Sequence, residues 1–255
     1  MQKIASIIIA LLFIFAFQSC NKIEKNSNTK NVEVVDSLPN HNFETADEAY
    51  EENDPEEPEV TYPKTGNKLT DFLPKLDIYA IQYEAEGDLN NDGLADAVIV
   101  LKHKESNTLK RPTLVLLRNE DKSYRLDKVS EIVMPVEYNE YDFKLYDTED
   151  VIIENGELHI SLYGMGPSGT FISAFKYIKN DFVLYNMETY FSGAGGRSGL
   201  FYDFEKGEIT ETETNTMKED EPTTSQTTKA KLKSYLFEDT SIIDFYNGDN
   251  TQLKK

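Results

Sequence analysis

Glu86 to Lys102 reads EGDLNNDGLADAVIVLK. Numbered from Asp88, it places Asp88, Asn90, Asp92 and Asp96 at positions 1, 3, 5 and 9, with Gly93 at position 6 and Leu94 at position 7. Side chains on alternate residues of a tight loop can converge on one point, and the Leu94 carbonyl can join them. Calcium is a hard cation that takes six to eight oxygens at about 2.3 to 2.6 Å. Gly93 supplies the positive φ that lets such a loop fold back. The three carboxylates repel one another unless a cation lies between them. An EF-hand would need a glutamate at position 12 and a helix on each side. Position 12 is Ile99, inside the continuous apolar run Ala97–Leu101. The stretch therefore predicts strand, calcium turn, strand. Without an ion, the same residues make a plain Asn-Asp-Gly hairpin turn with an acidic rim.

The phrase GDLNNDGLAD resembles the loops of FG-GAP and VCBS-type repeats, found in integrin-like propellers and in many bacterial surface proteins. The resemblance covers about fifteen residues and occurs once. It implies Ca²⁺ held by the side chains of Asp88, Asn90, Asp92 and Asp96 and the carbonyl of Leu94. A longer segment, DFLPKLDIYAIQYEAEGDLNNDGLADAVIVL, resembles the opening of a group of bacterial lipoproteins of uncharacterised function. That likeness marks a domain start and implies no activity.

The first residues, Met1-Gln2-Lys3, are followed by an apolar run from Ile4 to Phe17 and then by Gln18-Ser19-Cys20. A short basic region, an apolar core too short to span a bilayer and a small residue at the break describe a signal peptide. The single cysteine stands at that break, and the arrangement resembles a bacterial lipoprotein leader with Cys20 as the lipidated residue. The expected location is the cell envelope, with the protein lipid-anchored to the outer membrane on its periplasmic or outer side. With one cysteine, disulfides add nothing to the fold. The formal net charge of −20 opposes binding to nucleic acid, which needs cations to displace phosphate counterions. The membrane contact is then the lipid on Cys20.

Composition divides the chain into a leader (1–19), an acidic tether (20–65) and a β-rich calcium-binding domain (66–255). Glu44 to Glu59 holds nine acidic residues and almost nothing apolar, so it cannot offset its own ordering entropy. After Lys68, the spacing of Leu69, Phe72 and Leu73 predicts a short helical piece stopped by Pro74. Beyond it come apolar runs and turn signals at the spacing of antiparallel hairpins. Asn155-Gly156 is the strongest of these signals. The fold class is all-β: a meander of antiparallel hairpins forming a sandwich or a partial propeller-like domain after a disordered tether. Residues 214–228 read as a flexible polar loop, and 232–245 as a returning strand or edge.

The remaining motifs point to no reaction. His159, between Leu158 and Ile160, reads as a solvated strand histidine, on the face away from them and not beside Glu157. Gly164–Thr170 lacks the G-x-S-x-G form, and Gly193–Gly199 lacks the G-K-[ST] ending of a P-loop. Both read as wide loops at one edge of the domain, where Ser168 and Arg197 are candidates for a binding surface. The sequence thus predicts a binding or architectural role with a protein or polysaccharide partner. An envelope or surface hydrolase with unidentified catalytic residues is the alternative.

Overall fold

A strand that is apolar at every position has no polar side to give to water, so it must be covered on both faces. Ala97–Leu101 and Leu114–Leu117 are such runs, and the fold covers both. The computed structural model describes residues 60–243 apart from 76 and 165–167. The first sheet comprises β1 (Thr65–Gly66), β2 (Tyr79–Gly87), β3 (Asp96–His103), β4 (Thr113–Arg118) and β5 (Tyr124–Ser130), in the antiparallel order β1-β5-β4-β3-β2. Val98, Val100, Val115 and Leu117 face a large core shared with a second sheet. Ala97, Ile99, Leu101, Leu114 and Leu116 face a smaller core on the other side.

That smaller core is closed by the segment before β2. Leu69–Phe72 forms one 3₁₀ turn, as the spacing predicts, and Phe72 is fully buried. The Asp71 carboxylate accepts hydrogen bonds from the N–H groups of Asn67 and Lys68 at 2.8 and 3.0 Å, which holds the turn's entry. Tyr62 also packs here, and the Leu126 N–H donates to the Lys64 carbonyl. The domain therefore begins before residue 66. Residues 60–65, expected at the end of the tether, belong to the fold because Tyr62 is needed to cover the sheet.

The second sheet is a meander of β6 (Thr148–Glu154), β7 (Glu157–Tyr163), β8 (Thr170–Ile178), β9 (Asp181–Gly193), β10 (Gly196–Asp203), β11 (Glu208–Asn215) and β12 (Thr223–Lys229). A short β13 (Tyr235–Leu236) returns to pair with β9. Asn155 and Gly156 turn β6 into β7 with φ of 55° and 81°, the two positive angles of a type I′ hairpin. Leu158, Ile160, Leu162, Phe171, Phe175 and Met187 line its inner face. The architecture is an all-β sandwich whose antiparallel sheets include a half-barrel. It is not built of four-stranded blades.

The polar segment 214–228 is corrected by the structure. β12 pairs with β11 over seven register positions, from Glu208↔Lys229 to Thr214↔Thr223. Threonine hydroxyls meet across it, Thr210 with Thr227 at 2.9 Å and Thr214 with Thr223 at 2.8 Å. β-Branched side chains favour a pleated strand whether or not they are apolar. Only the connection 216–222 stays a loop.

The two sheets meet where β2 runs beside β6. A Cβ added to Gly87 would lie 2.5 Å from Ile153 Cγ2, so glycine is what lets these edges touch. The leader, Cys20 and the tether up to residue 59 lie outside the described residues.

Candidate metal loop and binding surface

The loop between β2 and β3 is held by its own side chains. Asp88 accepts hydrogen bonds from the N–H groups of Asp92 (3.1 Å) and Gly93 (2.9 Å). Asn90 Oδ1 accepts from the Asp92 N–H at 3.0 Å, and Asp92 Oδ1 accepts from the Leu94 N–H at 2.8 Å. Asn90 Nδ2 donates to Asp92 Oδ2 at 2.9 Å. Asn91 and Gly93 take positive φ of 60° and 85°, which closes the turn. Asp88, Asn90 and Asp92 are thereby drawn together on an accessible turn.

Asp96 sits differently. It is fully buried, and its carboxylate accepts the N–H groups of Leu89 (2.9 Å) and Arg118 (2.8 Å). Burial pushes its carboxyl above the ordinary value; the backbone donors work against this, and the Asp92 charge adds to it. Leu89, 1% exposed, anchors the loop in the shared core. The loop is thus fixed from below to the end of β4. It also lies against the second sheet: a Cβ on Gly156 would meet Asn91 Oδ1 at 3.3 Å.

The donor set is oxygen alone, which suits hard cations and not zinc or copper. Among the described residues, no three His, Cys, Asp or Glu side chains form a group that could hold a metal. In the loop, Asn90 and a backbone carbonyl would have to complete any shell begun by Asp88 and Asp92. Leu94 is half-buried, with its N–H engaged by Asp92.

At the opposite end of the second sheet lie the β7–β8 loop and the β9–β10 connection; the latter, expected as a loop over 193–199, is a tight turn at Ala194-Gly195, because Gly196–Gly199 already pair with β9. Arg197, the second residue of β10, forms an ion pair with Glu221 and lines an open groove of about 880 Å³ with Phe191, Ser198, Glu213, Lys218 and Thr224. Ser168 lies on the β7–β8 loop at the same end of the sheet but does not line that groove. Gly169 has φ of 72°, and a Cβ there would lie 2.3 Å from the Phe191 ring. His159 shares a face with Glu157, as their two-residue spacing requires, with Nε2 3.3 Å from Oε2. The expectation that the two would not be neighbours on that face is corrected.

Sequence reasoning missed a buried polar junction. The Arg111 guanidinium meets Glu149 through two contacts of 2.5 and 2.7 Å, while its Nε donates to the Pro135 carbonyl at 2.6 Å. The Tyr83 hydroxyl donates to Glu149 at 3.1 Å. Burial, followed by the Glu149 charge and hydrogen bond, pushes that phenol up to about 12. Arg111 and Glu149 are 38 residues apart, and no local spacing rule couples them. No protein-family model matches this chain, and no curated protein or solved structure does either.

Proposed function

We propose that this chain is a lipid-anchored protein of the bacterial cell envelope whose sandwich holds one structural Ca²⁺ in the loop 88–96. Its role is to bind or organise another envelope component, a protein or a polysaccharide, and not nucleic acid. The observation that carries this reading is the convergence of Asp88, Asn90 and Asp92 on one accessible turn. Bound there, calcium would neutralise the Asp88 and Asp92 carboxylates, both of which hydrogen-bond within this one turn. Asp96 would contribute from beneath, and the Leu94 carbonyl from the side. The ion would lock a turn that touches both sheets. The lipid is assigned to Cys20 on the leader sequence, and the outer membrane is the expected home.

Melting of the full chain, in detergent, with 10 mM Ca²⁺ and with a chelator tests the metal. Extracellular calcium modules bind with Kd of about 0.1 to 1 mM. At the tighter end the gain is about 2.7 kcal/mol, or roughly 5 to 10 °C for a domain of this size. Asp92→Ala should abolish the shift. Equal melting with ion and with chelator in the parent chain would remove calcium from the assignment. Cys20→Ser should abolish incorporation of labelled palmitate, and persistent labelling would move the anchor elsewhere.

A further inference from the structure

The second sheet ends in β12, and among the described residues no strand lies beyond it. The other sheet edges are short or covered. β1 has two residues, and β2 and β6 lie against each other through Gly87 and Ile153. β12 has seven residues, all exposed. It lacks the devices that blunt an open edge: it holds no proline, no bulge against β11 and no charge before Lys229. An edge of this kind is a template for another strand.

Which groups the edge offers follows from its pairing. The Asn215 N–H donates to the Pro222 carbonyl at 3.1 Å and the Ala230 N–H to the Gly207 carbonyl at 2.9 Å, both in the register of β11 with β12. Bonded pairs alternate along an antiparallel ladder, so Thr224, Gln226 and Thr228 turn their backbone groups to β11. Thr223, Ser225, Thr227 and Lys229 turn theirs outward. Only an extended backbone can meet such a row. One two-fold register uses all four of these residues. Centred on Gln226, it sets Ser225 opposite Thr227 and Thr223 opposite Lys229 of a second β12, each pair exchanging two N–H···O bonds. The pairs between them are Gln226 with Gln226 and Thr224 with Thr228. Hydroxyls already meet in this way between β11 and β12, at Thr210–Thr227 and Thr214–Thr223.

We propose that β12 pairs antiparallel with β12 of a second copy of this chain, about a two-fold axis at Gln226, and so joins the second sheets of the two copies into one. Charge selects this occupant. A chain of net charge −20 repels its own copy over most of its surface. The uncharged run Thr223–Thr228 lets two copies touch with no like charges opposed. Glu211 pairs with Gln226, so the Glu211 side chains of the two copies are three strand spacings apart, about 14 Å. That exceeds the screening length of about 8 Å at physiological salt. Past the strand, the same axis carries the exposed Lys231 and Lys233 of one copy alongside the exposed acidic turn Glu219-Asp220-Glu221 of the other, twice by symmetry. The pairing is isologous and closes at two copies. It rests on neither the metal nor the lipid.

The test is sedimentation equilibrium of the full chain in a density-matched detergent, which reads the polypeptide mass alone. A monomer–dimer equilibrium in the micromolar range is expected. Ser225→Pro removes an outward N–H that β11 does not use, and proline is tolerated at such an edge position. It should raise the dissociation constant at least about tenfold, since each dimer loses two hydrogen bonds. Should that variant fail to fold, cysteine pairing decides. In a Cys20→Ser chain, Gln226→Cys places two thiols at a non-bonded pair with Cα atoms about 4.5 Å apart, within reach of a disulfide. A mild oxidant should link it into a dimer. Thr224→Cys, whose copies lie four residues apart along the strands, should not link. A parent chain that stays monomeric or forms a larger assembly, a dimer unaffected by Ser225→Pro, or equal linking at the two cysteine positions would overturn the assignment.

Discussion

Arg111 heads the largest side chains that the fold buries completely, and its partner Glu149 is as hidden. Two charges removed from water cost several kcal/mol each, and their mutual contact, with the Pro135 carbonyl on Arg111 and the Tyr83 hydroxyl on Glu149, offsets this. Arg111→Met should therefore destabilise the domain by about 3 to 5 kcal/mol, because Glu149 is left charged and buried. Adding Glu149→Leu should recover most of the loss. Urea midpoints for the two single variants and the double variant measure this. A double variant as weak as the singles would mean that the pair contributes shape and not charge balance. Glu137 gives a pH-dependent counterpart. Burial raises its carboxyl, but Lys102 at 2.6 Å, helped by Arg111 and Lys144, more than offsets this and holds it below its ordinary 4.5. A carboxyl whose value is lower folded than unfolded stabilises the fold above its unfolded value. That contribution is lost as pH falls from 4.5 through the folded value. Glu137→Gln should thus lose less stability than the parent between pH 4.5 and pH 3, read from urea midpoints. Parallel declines would exclude the Lys102 contact as the cause. None of these partners was legible in the sequence, since Lys102, Arg111, Glu137 and Glu149 sit among many charges and only the fold joins them. Asp96 was legible as a loop carboxylate but not as the buried acceptor for Leu89 and Arg118.

At the scale of elements, the sequence was readable wherever side-chain period and turn chemistry agreed. Asn155-Gly156 predicted its hairpin because both residues tolerate positive φ. The unbroken apolar run after Asp96 predicted a strand, and its coverage on both faces follows from that run. β12 was lost because its seven residues from Thr223 to Lys229 are polar throughout, which hid a β-branched pattern that pairs well with β11. The contact of β2 with β6 was invisible, since it depends on Gly87 and on Ile153 far along the chain. Gly87→Ala would drive a methyl group to within 2.5 Å of Ile153 Cγ2. Overpacking of this kind typically costs about 1 to 3 kcal/mol. The loss should be seen as a lower urea midpoint, and Ile153→Ala in the same chain should relieve part of the clash. A Gly87→Ala variant as stable as the parent would show that the two edges can part freely.

At the scale of the whole molecule, neither sheet has a core of its own large enough to be independent. Val98, Val100, Val115 and Leu117 of the first sheet are buried against Leu158, Ile160, Phe175 and Met187 of the second. The smaller core serves only one face of the first sheet. The Arg111–Glu149 pair and the Gly87–Ile153 contact tie the sheets at a shared edge. Separation would expose the apolar face of both sheets at once and strand a buried ion pair, so partial unfolding along the sandwich plane is disfavoured. The domain should melt in one calorimetric transition, with van't Hoff and calorimetric enthalpies equal. The loop 88–96 is built into this coupling. Leu89 sits in the shared core, Asp96 binds the end of β4, and Asn91 touches the β6–β7 turn. Calcium bound there should raise the single transition as a whole. A split into two peaks, with only one of them responsive to the ion, would show that the sheets unfold separately and that the loop stabilises just one.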